Sequence, residues 1–527
     1  MLTNIDTLKY LMPEGLLIVS ACVVALLGAS PSLGRIGRLV GLVALVAAAG
    51  LLGWQWSQGT SAGADLGVLI DDGVSRLGRM VAVVWAVLFL LMASGDDQTS
   101  PAEYAASAML GFLGLMITSS AYDLTLLFVG LELVSITSYI LLGLAGNRRS
   151  GLEGALKYFV LSILSSAIML YGFSFLYGLS GTTDLHGLGT WQLGLQSTPL
   201  LATLGLVLVL GGLTFKMAAV PFHFYAADVY EATSYSNAGL LAVLPKAVGV
   251  IALLRLALAA GWWRDPFAWQ VALALSMITM TLGNVCALRQ RNVRRMMAYS
   301  SVAHAGYLLI GVTVTMAALS RGQSGTDGAW AVLFYVVGYG LASLGVMAGL
   351  VFLSRSVRPL ETVDDLAGLA VRFPAVSAAI AVCMFSLTGI PPLGGFLGKL
   401  YLLKGALFQA LELEHHDVLH QWLVVLSIVT VINAAIAATY YLRIVGALYF
   451  GTRSGERGEL ANDGSASAGA SGLAAMFAAV LLVLIGLVPG PLTRWTQSAA
   501  TDLVGRASAA ATIAADRPAQ NAISRVP

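Results

Sequence analysis

The stretch FVGLELVSITSYILL, residues 128–142, sets a single acid, Glu132, in the middle of an otherwise uncharged apolar run. A charged side chain near the centre of a bilayer costs about 2.5–3.5 kcal/mol on insertion scales, so it should face a partner, a water-filled cavity or an ion path. At helical spacing Thr125, Ser135 and Tyr139 fall on the same side as Glu132, which gives that helix a polar face. Lys216, Lys246 and Lys399 stand in or at the edge of three further apolar runs. Together the four charges predict a proton or cation conduit.

The rest of the chain has the composition of a polytopic membrane protein. Of 527 residues, 58% are hydrophobic and 11% charged, and the mean hydropathy is +0.83, far from an ordinary soluble domain. Apolar stretches of about 20 residues recur between residues 14 and 494 and predict an all-α protein of about fourteen transmembrane helices. The expected divisions are an N-terminal three-helix segment (1–100), two five-helix repeats (101–260 and 261–450), and a final part (451–527) with a loop, a last span and a tail. The loop near 451–472 and the tail after Trp495 are small, polar and unpatterned, and read as loose segments.

The balance of 29 Lys+Arg against 27 Asp+Glu leaves a net charge of +2 and no basic cluster for nucleic acid. Cys22, Cys286 and Cys383 lie in apolar segments without CxxC spacing, which suggests neither disulfides nor an iron–sulfur site. No nucleotide fingerprint or Walker motif is present either. Electron carriers are therefore expected elsewhere. Glu412, His416 and His420 repeat at four-residue spacing, a metal-compatible pattern that more often marks a solvated loop, and no metal is expected in this chain.

Two spans are interrupted, and a broken helix is how a membrane protein brings backbone groups and water to depth. In the seventh, FKMAAVPFHFYAADVY places Lys216 five residues before Pro221. In the twelfth, TGIPPLGGFLGK places Pro391, Pro392, Gly394 and Gly395 just before Lys399. The eighth has Lys246 directly after Pro245, which reads as a third local break. Desolvation disfavours a charged amine, so lysines at such depths can exchange protons. Snorkelling to an interface is the plainer alternative. His304, with Ser300 and Tyr307 on its face, is a candidate relay or a hydrogen-bonded core histidine. His223, near Asp228 and Glu231, is a candidate for proton entry or a helix cap. Lys157, followed by Ser162, Ser165 and Ser166, is a candidate on the sixth span.

Basic residues fall unevenly between the loops. Arg35 and Arg38, Arg148 and Arg149, Arg289 to Arg295, Arg355 to Arg372, and Arg453 and Arg457 occupy one side, whereas the other side holds chiefly Arg76, Arg79, Arg264 and Arg321. The positive-inside rule then places both termini outside the cytoplasm.

The segments GLELVSITSYILLGL, ALKYFVLSILSSAIMLYG, FKMAAVPFHFYAADVYEATSY, PKAVGV and TGIPPLGGFLGKLYLL resemble those of the antiporter-like subunit N of proton-pumping NADH–quinone oxidoreductase, respiratory complex I. The resemblance runs from about the fourth span through the thirteenth. Sister subunits L and M and the large subunits of multisubunit cation/proton antiporters share that fold. They typically have Asp-Ala-His where this chain has Asp228, Val229 and Tyr230, and the L type carries a long lateral helix that this tail does not suggest. Ala227, where a proline is common, and ATSY at 232–235 depart from the pattern.

The resemblance implies a fourteen-helix subunit with two inverted five-helix repeats and broken seventh and twelfth helices. It implies that Glu132 and Lys216 form a modulating ion pair, that Lys246 is the central relay and that Lys399 leads to the outer exit. It implies a bacterial inner membrane and, as partners, the other membrane-arm subunits of complex I, further antiporter-like subunits among them. NADH, FMN, iron–sulfur clusters and quinone would belong to partner subunits. A subunit of a cation/proton antiporter of the same fold is the alternative.

Overall fold

The computed structural model describes residues 4–30, 34–58, 64–94, 101–144, 149–193, 200–357, 360–414, 416–451 and 466–516. Helices α1 (Asn4–Tyr10), α2 (Met12–Gly28) and α3 (Gly34–Ser57) lead through a hairpin, β1 (Ala64–Asp65) with β2 (Ile70–Asp71), to α4 (Gly73–Ala93). The next crossings are α5 (Pro101–Ser120), α6 (Leu124–Leu144) and α7 (Arg149–Ser180), followed by the short α8 (Leu185–Leu193). A broken crossing, α9 (Leu200–Lys216) with α10 (Ala226–Ala232), precedes α11 (Tyr235–Ala259). The second series runs α12 (Pro266–Leu288), α13 (Val293–Ser320), α14 (Thr326–Ser356), and the short α15 (Leu369–Arg372). A second broken crossing, α16 (Pro374–Thr388) with α17 (Gly394–Leu411), precedes α18 (Val418–Phe450), α19 (Ala466–Leu487) and α20 (Gly490–Asp516).

Eleven of these helices are long and apolar enough to cross a membrane, and α2, α9 and α16 are shorter apolar helices, which together make the expected fourteen among the described residues. Helices suit this environment because lipid offers no partner to an open backbone group. Five crossings separate α5 from α12, so the second series enters from the opposite face. The two series are thus inverted copies, with α5 packed on α6 as α12 is on α13, and each broken crossing packed on the third helix of its series. At their centre α11 and α13 are buried along their whole spanning windows, and α14 nearly so.

Both broken helices end in the same way. After α9, the Ala218 amide bonds Phe215 O at 2.8 Å and the Ala219 amide bonds Thr214 O at 2.8 Å. After α16, the Gly389 amide bonds Ser386 O at 3.1 Å and the Ile390 amide bonds Phe385 O at 3.0 Å. Each is a Schellman closure around a left-handed residue, Ala218 at φ +56° and Gly389 at φ +94°. A proline follows within three residues and prevents the helix from resuming.

Three expectations are corrected. Pro245 does not break its helix, since α11 runs continuously from Tyr235 to Ala259. Arg76 and Arg79 are not loop residues but lie in the first two turns of α4, and of the arginines on the basic side Arg35, Arg38, Arg149, Arg294, Arg295, Arg355 and Arg372 likewise lie in helix ends. The tail after Trp495 is not loose as far as Asp516: α20 is a helix of 27 residues, whose Thr496, Ala499, Ala500, Leu503 and Val504 recur at helical spacing and are buried. Within 451–472, α19 begins at Ala466, and residues 452–465 lie outside the described residues, as do Arg148, Arg358 and the tail beyond 516.

Two buried ion pairs tie the N-terminal helices to the bundle. Arg79 Nε and Nη2 hold Glu14 at 2.6 and 2.8 Å. Arg255 of α11 holds Asp72, the N-cap of α4, through two contacts of 2.9 and 3.0 Å, and both side chains are fully buried. Breaking such a pair on one side strands a buried charge and costs about 3–5 kcal/mol, whereas replacing both members with apolar residues often costs little. Arg255→Met should therefore sharply reduce the thermal stability of the purified protein, and Arg255→Met combined with Asp72→Asn, which removes the stranded charge and keeps a side-chain cap on α4, should recover part of that loss.

Candidate functional site

Glu132, Lys216 and three serines meet at mid-membrane. Lys216 is the last residue of α9, where an ammonium suits the negative end of the helix dipole. Its Nζ lies 2.8 Å from Glu132 Oε1, 2.6 Å from Ser135 Oγ and 3.0 Å from Ser166 Oγ. Ser166 in turn donates to Glu132 Oε1 at 2.5 Å. The Lys216 side chain is 2% exposed and that of Glu132 19%, so this is a buried, hydrogen-bonded pair with one carboxylate edge turned outward. Glu132 and Ser135 come from α6, Ser162 and Ser166 from α7.

The helix break made by Pro245 is absent, but its chemistry is present. Proline has no N–H, so Leu241 O, four residues back, loses its normal helical partner. The Lys246 ammonium donates to that oxygen at 3.2 Å and to Tyr230 Oη at 3.3 Å. Lys399 finds a parallel arrangement across the second broken crossing. Its Nζ donates to Leu387 O at 2.7 Å and Thr388 O at 3.1 Å, two of the carbonyls that the end of α16 leaves open, and lies 4.8 Å from the Tyr307 ring centroid. Glycine is required for that approach: a side chain on Gly389 would stand 3.2 Å from Lys399 Cδ, and one on Gly395 would collide with Ser386 O.

Between Lys246 and Lys399 lies a row of hydroxyls and one imidazole. Tyr230 Oη is 3.3 Å from Ser301 Oγ, next in sequence to Ser300, whose Oγ is 2.5 Å from Tyr441 Oη. His304 bridges Tyr441 through Nε2 at 2.9 Å and Tyr335 through Nδ1 at 2.5 Å, with donor and acceptor roles set by its tautomer. Tyr307 Oη accepts from Asn284 Nδ2 at 3.3 Å.

Five of the seven candidates from the sequence, Glu132, Lys216, Lys246, His304 and Lys399, thus line the interior. The other two do not join them. The Lys157 side chain is 51% exposed and pairs with Glu153 one turn away at 2.7 Å, which satisfies its charge on the surface of α7. His223 lies in the turn after α9 with Nδ1 buried and unbonded among the described residues, while Asp228 and Glu231 pair with Arg295 at 3.0 and 2.6 Å. Thr125 is exposed and takes no part. Among the described residues no group of three or more His, Cys, Asp or Glu could hold a metal.

Sequence reasoning missed Tyr230, Tyr335, Tyr441 and Asn284 as members of the interior row. Nothing in their sequence neighbourhoods sets them apart from any other tyrosine or asparagine in a span.

The family model for the NADH:quinone oxidoreductase/Mrp antiporter membrane region matches residues 121–432. The NADH-quinone oxidoreductase subunit N of Rhodospirillum rubrum is 35% identical over 83% of this chain and 87% of its own length. This chain belongs to the subunit N family of NADH-quinone oxidoreductase. Subunit N of Trichlorobacter lovleyi is 33% identical over 93% of this chain and 96% of its own length. Among solved structures, a chain of respiratory complex I from Thermus thermophilus with bound aureothin superposes with a TM-score of 0.73 at 29% identity, covering 92% of this chain and 99% of that one. A chain of the Mrp complex from Dietzia sp. DQ12-45-1b shares the fold, with a TM-score of 0.81 at 20% identity over 95% of this chain and 98% of that one. As a member of the subunit N family the chain is a multi-pass membrane protein, matched along nearly its whole length.

The role of Pro245 can be isolated from packing. Pro245→Ala restores the amide that bonds Leu241 O and so takes one acceptor from Lys246. Helix propensity alone would make this change neutral or stabilising. Loss of a charge-assisted hydrogen bond costs about 1.5–3 kcal/mol and opposes the roughly 3 kcal/mol gained by removing proline from a helix interior, so the melting temperature of Pro245→Ala should stay near that of the wild type, whereas Pro245→Ala combined with Lys246→Met, which leaves no ammonium short of an acceptor, should melt clearly higher.

Proposed function

We propose that this chain is a proton-translocating membrane subunit of a bacterial inner-membrane NADH–quinone oxidoreductase, with its Arg-rich loops facing the cytoplasm and both termini outside. The observation that carries the reading is the row of Lys216, Lys246 and Lys399, each buried on protein acceptors at membrane depth and none turned into lipid. Membership of the subunit N family supports the assembly it serves. NADH, FMN, iron–sulfur clusters and quinone belong to partner subunits in this reading, and the other membrane-arm subunits are its neighbours.

The mechanism is electrostatic. Quinone reduction in a partner perturbs the Glu132/Lys216 pair, whose partly exposed carboxylate is the edge a neighbouring charge can reach. Unit charges 4 Å apart interact by about 4 kcal/mol at an effective dielectric constant of 20, which sets the scale of the attraction within the pair that an outside charge competes with. Opening the pair therefore changes which protonation state of Lys246 is favoured. Lys246 exchanges its proton with Tyr230 and Ser301, the hydroxyl cluster around His304 carries it onward, and Lys399 releases it outside; among the described residues no hydrogen bond joins Ser301 to that cluster or the cluster to Lys399, so water closes both gaps in this reading. Among the described residues no hydrogen bond joins the Lys216 cluster to Lys246, so coupling between those two is by field.

Sealed vesicles carrying the assembled complex test these roles. Lys216→Ala or Lys399→Ala should leave the protein in the membrane and reduce quinone-coupled proton uptake to a small fraction of normal. Glu132→Gln, which keeps a hydrogen-bonding group but loses the charge, should reduce it less. Near-normal uptake with both lysines replaced would refute the assignment.

A further inference from the structure

Lys246 and Lys399 both rest on neutral oxygens, yet they meet their tyrosines differently. Lys246 donates to a hydroxyl, that of Tyr230. Lys399 spends two of its three N–H groups on Leu387 O and Thr388 O, and among the described residues the third has no hydrogen-bond acceptor. Its Nζ stands over the Tyr307 ring instead, 4.8 Å from the centroid. An aromatic face attracts an ammonium through the negative lobe of its quadrupole. Unlike a hydroxyl oxygen, it has no lone pair that takes a proton.

A row of amides fixes that ring. Helices α12 and α13 approach so closely that a side chain on Gly306 would collide with the Met280 main chain, and the next residue, Tyr307, accepts at Oη from Asn284 Nδ2 of α12 at 3.3 Å. Asn284 is itself held at both ends. Its Nδ2 also donates to Asn433 Oδ1, and its Oδ1 accepts from Tyr440 Oη, each at 3.0 Å. Asn433 and Tyr440 are seven residues apart and share one face of α18. The direction of these bonds follows from a main-chain carbonyl. Val429 O only accepts, so the atom 3.0 Å from it is Asn433 Nδ2, which leaves Asn433 Oδ1 for Asn284 and turns the other Asn284 N–H to Tyr307. All four side chains are buried, and a buried array whose members are bonded to one another is rigid. The Tyr307 ring also meets the rings of His304 and Tyr335 edge-on, at 5.7 and 6.3 Å between centroids. Its oxygen is thus committed to α12 and its face to Lys399.

We propose that Tyr307 is the third ligand of the Lys399 ammonium, an aromatic face that favours the protonated lysine without taking its proton, and that Asn284 and Asn433 are positioning residues that hold the face in place. The inference rests on the reading of Lys399 as the site of release. A desolvated contact of this kind is worth roughly 2- to 30-fold in favour of the cation. It makes Lys399 a site that loads and holds a proton until water reaches its nitrogen, whereas Lys246, on a hydroxyl, is a site of exchange.

The test measures protons translocated per NADH oxidised in sealed vesicles of the assembled complex. Tyr307→Phe is compared with the same phenylalanine ring carrying one, two or three fluorines, which nearly keep its shape while making its face progressively less negative. The ratio should fall step by step, and with three fluorines should lie at least about threefold below that of Tyr307→Phe. Asn284→Leu and Tyr307→Phe should each lower the ratio less than this, and the two together no further than either alone, since both remove the same hold on the ring. A flat response across the fluorinated rings, or additive losses from Asn284→Leu and Tyr307→Phe, would overturn the proposal. Lys399→Ala in the same vesicles separates the two levels: its loss of translocation alongside a flat fluorine series removes the role of Tyr307 alone, whereas normal translocation by Lys399→Ala removes the underlying reading and this inference with it.

Discussion

An ammonium resting on a main-chain carbonyl that has lost its own amide is the interaction on which this molecule turns. In lipid an open backbone group is expensive, and so is an unpaired charge. The chain cancels one cost against the other. Pro245 frees Leu241 O for Lys246 without interrupting α11, and the end of α16 frees Leu387 O and Thr388 O for Lys399. Of these three lysines, Lys216 alone leans on a carboxylate among the described residues. Lys246 and Lys399 thus rest on neutral acceptors, whereas Lys216 faces a counter-charge.

The frame around these lysines is correspondingly rigid. Arg255 anchors the far end of α11, the helix that carries Lys246, to Asp72 at the start of α4. Inversion of the two series places the Schellman closures of α9 and α16 at related positions, so one local device opens the backbone twice. The two uses differ: Lys216 closes the first half-helix of its crossing, whereas Lys399 lies on the second half-helix and reaches back across the gap.

Much of this was legible in the sequence because charge in an apolar run has few explanations. Glu132, Lys216, Lys246 and Lys399 stand out on that ground, and the Pro-rich interruptions located both broken crossings. Lys157 carried the same signal but has Glu153 one turn earlier, and an i,i+4 pair on an exposed face removes the need for burial. The tyrosine row was not legible, since a tyrosine in a span is ordinary and only tertiary packing decides whether its hydroxyl meets His304 or lipid. Pro245 does not break α11 because the Lys246 ammonium occupies the Leu241 carbonyl that proline's missing amide leaves open, a compensation that adjacency in sequence does not reveal. Helix α20 escaped notice because its buried face joins Thr496, Ala499 and Ala500 to only two larger apolar residues, Leu503 and Val504.

Whether Lys246 exchanges a proton or only supplies a fixed charge is decided most directly by Lys246→Arg. A guanidinium keeps the charge and the donors to Leu241 O and Tyr230 but does not release its proton at physiological pH. Protons translocated per NADH oxidised should be measured in sealed vesicles of the assembled complex, variant against wild type. A clear fall in that ratio, with NADH oxidation continuing, is the predicted result, and an unchanged ratio would contradict the account.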